Sequence, residues 1–366
     1  MREYVLTLLV VAAATYFTTP LARRFAIRVK AMTEVRDRDV HAIPTPRLGG
    51  LAMFVGLAVG LFVAAQLPRL SVVFSDTTWL GVLVGGAVVC LVGALDDRFS
   101  LDALTKLSGQ VVAAGVMVLS GVQLLWLPLP GQTIGLGRDL GVVLTVVLVV
   151  ATMNAINFVD GLDGLAAGIA GIAAAAFFSY SWLLSHVNGL STATSPTLVT
   201  AILVGLCVGF LPHNFHPAKL FMGDSGSMLI GLLLSAGMIT LTGQVDVPVL
   251  TSANVLPAAL PLLVPVAVFA VPFVDVLLAI IRRVWAGKPP WAPDKLHMHH
   301  RLLRIGHSHR RAVLIMYSWA ALIAGTVVAT AFHGIPMVLL SITAGCGVLA
   351  LLGINVPRLV ARWRGR

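Results

Sequence analysis

The sequence predicts an all-α, polytopic integral membrane protein of about eleven transmembrane helices, N-terminus outside and C-terminus cytoplasmic. Three observations carry that expectation. Of the 366 residues, 58% are hydrophobic and only 11% are charged, against about 25% charged in a soluble domain. The apolar residues run in long unbroken stretches, which excludes the short alternating segments of a transmembrane β-barrel. The basic residues gather in alternate loops, as the positive-inside rule requires. A mean hydropathy of +0.95 excludes a soluble enzyme, a disordered chain and an ordinary nucleic-acid-binding domain. The net charge of +10 is therefore read first as membrane topology.

A helix needs about 20 apolar residues to cross a bilayer. That ruler marks spans at 4–22, 48–66, 79–95, 103–121, 139–153, 162–183, 198–213, 227–242, 258–281, 312–331 and 337–357. The first has a weakly charged start, a long apolar run and a flank of Arg23 and Arg24, so it reads as a span rather than a cleaved leader. With the N-terminus outside, 22 of the 25 Lys and Arg lie inside, and only Arg2, Arg69 and Arg138 stay outside. No Pro/Gly/Ser linker divides the chain, so 1–366 reads as one membrane domain, with 282–311 as a His/Arg-rich cytoplasmic loop within it. Gly56/Gly60, Gly81/Gly85 and Gly205/Gly209 have the small-xxx-small spacing of closely packed membrane helices. Cys90, Cys207 and Cys346 each sit in an apolar run and read as packing residues.

Charge at membrane depth is costly, so carboxylates at span ends carry the functional signal. Asp96 and Asp97 end the third span. Adjacent carboxylates repel unless a cation shares them, and Mg²⁺ is the usual cation for oxygen ligands beside phosphates. A solvated loop pair beside Arg98 is the plain alternative. Asn154, Asn157, Asp160 and Asp163 recur every three residues, a spacing that lines one stripe on a helix end. Gly161 and Gly164 also fit an ordinary turn. Asp224 precedes the eighth span in GDSGS. It reads either as a cap for that helix or as a metal-binding carboxylate beside phosphate-suited backbone N–H groups. His297, His299 and His300 cluster near Lys295 and Arg301. Without a His-x-x-x-His pair or a Cys partner, zinc is disfavoured, and phosphate or carboxylate oxygens fit better. With the topology above, the first five carboxylates of these clusters share one membrane face. That equipment suits metal-assisted chemistry on phosphates. The ninth span holds Pro257, Pro261, Pro265 and Pro272 and could bend into a groove for an apolar chain. Asp275 is expected to face that interior.

At these clusters the sequence resembles the polyprenyl-phosphate N-acetylhexosamine-1-phosphate transferases of glycosyltransferase family 4. The motifs are HAIPTPRLGG at 41–50, DD at 96–97, NxxNxxDGLDGL at 154–165, NxxPAxLFMGDSGS at 214–227 and PDKxHxHHRL at 293–302. The HxHH and PTPR forms resemble the branch that uses UDP-GlcNAc. The resemblance implies transfer of a sugar 1-phosphate from a UDP-sugar to a polyprenyl phosphate, releasing UMP. It implies Mg²⁺ as cofactor, with Mn²⁺ as a substitute. By resemblance, Asp96, Asp97, Asp160 and Asp163 are catalytic, and Asp97 and Asp224 hold the metal. Arg47, Asn154, Asn157, Asn214, Phe221, His297, His299, His300 and Arg301 contact substrate, with Phe221 suited to stacking on uracil. Lys106 lies near a family lysine without a secure alignment. The expected partners are the two substrates and the bilayer, with a homodimer left open and no nucleic acid. The expected location is a bacterial plasma membrane, with the active site on the cytoplasmic face.

Two other functions compete. Transfer from UDP-MurNAc-pentapeptide differs only in the donor. A secondary transporter would place its polar residues near the midplane, on broken helices of inverted repeats. Here they lie at span ends on one face, and the sequence shows no clean repeat.

Overall fold

The computed structural model describes residues 1–33, 44–129, 132–187, 194–243, 307–333 and the isolated positions 285, 287 and 345. Nine α-helices occupy the described residues: α1 (Arg2–Arg28), α2 (Gly49–Ala65), α3 (Thr78–Phe99), α4 (Ala103–Leu119), α5 (Arg138–Val159), α6 (Leu165–Val187), α7 (Thr194–Asn214), α8 (Gly223–Gly243) and α9 (His309–His333). Each coincides with a span marked in the sequence. Seven are long and apolar enough to cross a membrane, and α2 and α4 are shorter apolar helices. The chain is a multi-pass membrane protein. The spans expected at 258–281 and 337–357, Asp275, Cys346 and most of the loop 282–311 lie outside the described residues.

The all-α expectation needs one correction. Between α4 and α5, β1 (Trp126–Leu129) pairs antiparallel with β2 (Gln132–Gly135). This connection is too short and too rich in Pro and Gly for a helix, and pairing satisfies its backbone groups locally.

The centre of the bundle is α8, whose apolar window is entirely buried. It packs against α2, α3, α5 and α7, while α1 lies on α2 and α7, and α9 lies on α6. Lipid tails are as apolar as the helices, so association depends on close packing of small residues. The glycine pairs supply it. A side chain at Gly205 would meet the Leu8 carbonyl at 2.7 Å, and one at Gly85 would meet the Ala113 carbonyl at 3.2 Å. Gly93 of α3 and Gly50 of α2 lie against the first turn of α8, where a Cβ would collide with the backbone of Ser225 or Gly226. Cys90 and Cys207 are buried and unbridged, as expected of packing residues.

Helix ends then gather the polar motifs. Ser100 takes a left-handed conformation after α3, and the Asp102 carboxylate accepts from the backbone N–H groups of Leu104 and Thr105 to start α4. This cap reverses the chain within a few residues, so the end of α3 and the start of α4 are neighbours. Segment 46–50 runs beside 221–222: Phe221 N–H donates to the Pro46 carbonyl, and Gly49 and Gly50 N–H donate to those of Phe221 and Met222.

Candidate active site

The site forms where the end of α3 meets the start of α8. Asp97 is buried, 6% exposed. Its carboxylate accepts from Asp224 N–H at 2.9 Å, Ser225 N–H at 3.3 Å and the Ser225 hydroxyl at 3.0 Å. Arg47 approaches the same carboxylate at 3.9 Å. These are the first backbone donors of α8, which have no intrahelical partner and lie at the positive end of the helix dipole. Asp97 therefore caps α8 from another helix. The structure corrects one expectation here: the N–H groups of Asp224 and Ser225, read from sequence as phosphate-suited, are taken by Asp97, which thereby holds the helix that carries Asp224.

Asp96 and Asp224 are disposed differently. Asp96 Oδ1 accepts from Leu101 N–H at 2.8 Å, and Oδ2 pairs with Lys106 Nζ at 3.3 Å. Asp224 Oδ2 pairs with the same ammonium, and Oδ1 accepts from Asn157 Nδ2 at 2.8 Å. Asn157 also donates to the Ser227 hydroxyl at 3.0 Å. Two carboxylates from different helices thus converge on one cation, the Lys106 ammonium. Their side chains are 15% and 17% exposed, so the point is partly open. The donors are all oxygen, which is the chemistry of Mg²⁺. Asp96 and Asp224 offer the oxygen donors that ion takes, at the place where the Lys106 ammonium lies in this structure.

The stripe at 154–163 divides. Asn154 and Asn157 lie on the last turns of α5. Asn154 Nδ2 donates to Gln110 Oε1 at 2.7 Å and to the Val150 carbonyl at 2.8 Å. The helix stops at Asp160, whose φ of −76° and ψ of 54° are not helical. The Asp160 carboxyl is pushed up to about 7 by burial, against the lowering effect of Arg47, with Asp97 and Asp163 raising it further. Asp163 lies beyond the turn, 3% exposed. Its Oδ2 accepts from His216 Nδ1 at 2.8 Å and Ala218 N–H at 3.1 Å. The four residues therefore do not share one stripe.

Asn214 is 2% exposed. Its Oδ1 accepts from Gly164 N–H at 3.1 Å, and its Nδ2 donates to the Leu220 carbonyl at 3.1 Å. Both ends of the amide tie loops together, so Asn214 shapes the site. Phe221 is half-buried, its backbone held between Pro46 and Gly49. Arg47 Nε donates to Thr33 Oγ1 at 2.9 Å, which steadies it near Asp97. His297, His299, His300 and Arg301 lie outside the described residues.

Lys106, Gln110, His216 and Ser225 were not among the site residues expected from sequence. Lys106 and Gln110 share a face of α4 at i, i+4, two long polar side chains near the start of an apolar helix. His216 and Ser225 carried no such periodicity.

The sequence profile of glycosyl transferase family 4 matches residues 79–242, the stretch that carries every described acidic site residue. The chain is 46% identical over 364 residues, 98% of its length, to 90% of the decaprenyl-phosphate N-acetylglucosaminephosphotransferase of Mycobacterium tuberculosis. It is 34% identical over 328 residues to a probable undecaprenyl-phosphate N-acetylglucosaminyl 1-phosphate transferase of Bacillus subtilis, covering 87% of this chain and 82% of that one. It is 32% identical over 324 residues to the undecaprenyl-phosphate alpha-N-acetylglucosaminyl 1-phosphate transferase of Pasteurella multocida, covering 88% and 85%. With relatives this similar along nearly its whole length, and its acidic helix ends joined in one cluster, the chain belongs to glycosyl transferase family 4.

Proposed function

We propose that the protein transfers N-acetylglucosamine 1-phosphate from UDP-GlcNAc to a polyprenyl phosphate, giving polyprenyl-diphospho-GlcNAc and UMP. The carrying observation is the convergence of Asp96 and Asp224 on one cation, the Lys106 ammonium, at the end of the bundle. The printed names of the relatives supply the donor sugar and the acceptor class. Basic loops on that side support a cytoplasmic face, and the bacterial relatives support a plasma membrane. About eleven spans with the N-terminus outside, and one domain over 1–366, remain our reading of the whole chain.

The lipid phosphate attacks the β-phosphorus of the donor. A P–O bond forms to the lipid as the bond to UMP breaks, and UMP leaves with the electron pair. Such a reaction needs positioning and charge neutralisation more than covalent help. Asp224 and Asp96 would hold Mg²⁺, which supplies charge neutralisation on the pyrophosphate. Asn157 orients Asp224 through its amide, and Asp97 fixes the helix from which Asp224 projects. The second pKa of a phosphate monoester is about 6. The acceptor is therefore largely ionised at neutral pH, and a base contributes little.

The test uses detergent-purified protein, Mg²⁺, decaprenyl or undecaprenyl phosphate, and radiolabelled UDP-GlcNAc or UDP-MurNAc-pentapeptide. Labelled lipid from UDP-GlcNAc is expected. Labelled lipid from the second donor alone would overturn the substrate, and transport activity in vesicles without lipid phosphate would favour a transporter. Donor without acceptor should release no UMP in a rapid quench; stoichiometric release would establish a covalent enzyme intermediate.

A further inference from the structure

Outside the carboxylate cluster, the start of α9 reaches back to the loops that carry Asp160 and Asp163. The His309 ring stacks on the His216 ring, with centroids 4.1 Å apart and planes 14° from parallel. Arg310 Nε donates to the His216 carbonyl at 2.9 Å. Tyr317, two turns further along α9, donates its hydroxyl to the Gly164 carbonyl. A side chain at Gly168 would occupy the Tyr317 ring, so the absence of a Cβ there is what lets α9 sit this close. Three contacts thus hold the 160–164 and 214–218 turns against one helix.

The product of that grip is the orientation of one buried carboxylate. An ionised carboxylate only accepts hydrogen bonds, so His216 Nδ1 carries the proton that Asp163 Oδ2 receives at 2.8 Å. The ring's plane determines where that proton points. His309 covers one face of the ring and Arg310 fixes its backbone. Asp163, His216 and His309 have ligand atoms within 4.8 Å of one another, which by residue type would suit a transition metal. The geometry points elsewhere. Nearly parallel rings direct their in-plane lone pairs along separate planes, and those do not meet at one ion. His216 Nδ1 is also engaged by Asp163.

We propose that His216, clamped by His309 and Arg310 of α9, is the positioning residue that orients Asp163 for the transfer reaction. The inference rests on the proposed transferase function. It gives α9 a task beyond spanning the membrane, because the helix follows directly on the His/Arg-rich loop and ties the end of that loop to the catalytic turn.

The experiment measures kcat and KM for UDP-GlcNAc and polyprenyl phosphate in the full-length protein and its His216→Ala, His216→Asn, His309→Ala and His309→Phe variants, each with a thermal melt. His216→Ala should lower kcat by about 10- to 100-fold, the usual effect of a misplaced reacting group, with both KM values within about 3-fold of wild type. Asn places an amide N–H near the position of Nδ1–H and should restore most of the rate. His309→Phe keeps a stacking face and should stay near wild type, whereas His309→Ala should lose activity. Wild-type kcat in His216→Ala, or His216→Asn no better than His216→Ala, would overturn the positioning role. His309→Phe as poor as His309→Ala would do the same, since the ring nitrogens would then be what matters. Zinc bound by the wild type and lost in His216→Ala would replace the proposal with a metal site. Wild-type protein inactive with UDP-GlcNAc would overturn the transferase reading itself, an outcome distinct from active wild type with unaffected variants.

Discussion

Replacing Asp97 separates its structural task from a metal-binding one. The Asp97 carboxylate accepts three hydrogen bonds of 2.9, 3.3 and 3.0 Å from the first residues of α8. Bonds to a charged partner contribute about 1.5–3 kcal/mol each, and an anion at a helix N-terminus adds about 0.3–1 kcal/mol. These do not add fully, because freed N–H groups at a helix end recover some bonding to water. Asp97→Ala should therefore cost about 3–4 kcal/mol. Asp97→Asn keeps one acceptor but turns a donor toward Ser225, for about 1–2 kcal/mol. At about 2 °C per kcal/mol for a chain of this size, the melting temperature in detergent should fall by about 6–8 °C and 2–4 °C. Asp224→Asn keeps its backbone N–H on Asp97 and should melt within about 2 °C of wild type while losing turnover. An Asp97→Ala variant that melts like wild type but has lost all activity would refute the reasoning. The carboxylate would then serve substrate or metal rather than the end of α8.

Four further outcomes follow from the same geometry. Lys106→Met removes the ammonium that Asp96 and Asp224 share in this structure, and kcat/KM should fall at least about 100-fold, the equivalent of about 2.7 kcal/mol; a 2-fold change would show that the ammonium is dispensable. Gly93→Ala drives a Cβ into the backbone of Ser225 and should cost about 1–3 kcal/mol or prevent folding. Gly115→Ala, with nothing within 4 Å, should be tolerated, as read by folded yield in detergent. The raised Asp160 carboxyl, up to about 7 from an ordinary 3.8, makes the folded protein take up a proton as pH falls through 7. Its contribution to stability therefore grows as pH falls from about 7 toward 4, while activity that needs the anion is lost over the same window. A kcat/KM profile measured with and without Asp160→Asn checks this, and a low-pH limb near 7 that persists in the variant would assign it to another group.

The spans at 4–22, 79–95 and 227–242 were legible because transfer into lipid is nearly a local sum over consecutive side chains. The proposed sidedness rests on an equally local quantity, where Lys and Arg fall between spans. The acidic motifs stood out because a carboxylate at a membrane boundary costs too much to be incidental. Their common location at one end of the bundle also followed, since alternate spans bring alternate loops to the same side.

Which partner each group takes was decided only by the packed helices. Asp97 and Asp224 are 127 positions apart, and Asp163 and His216 are 53 apart. Their pairing depends on how α3, α5 and α8 rotate about their axes, and hydropathy does not encode that rotation finely enough. So the sequence by itself determined a membrane bundle with an acidic end. Tertiary structure decided that Asp97 caps α8, that Asn214 ties two turns together, that Lys106 joins Asp96 to Asp224, and that α9 holds His216 against Asp163. The physical reason is range. Burial of an apolar side chain is a property of the segment that carries it, whereas a directional hydrogen bond exists only once two segments have been placed.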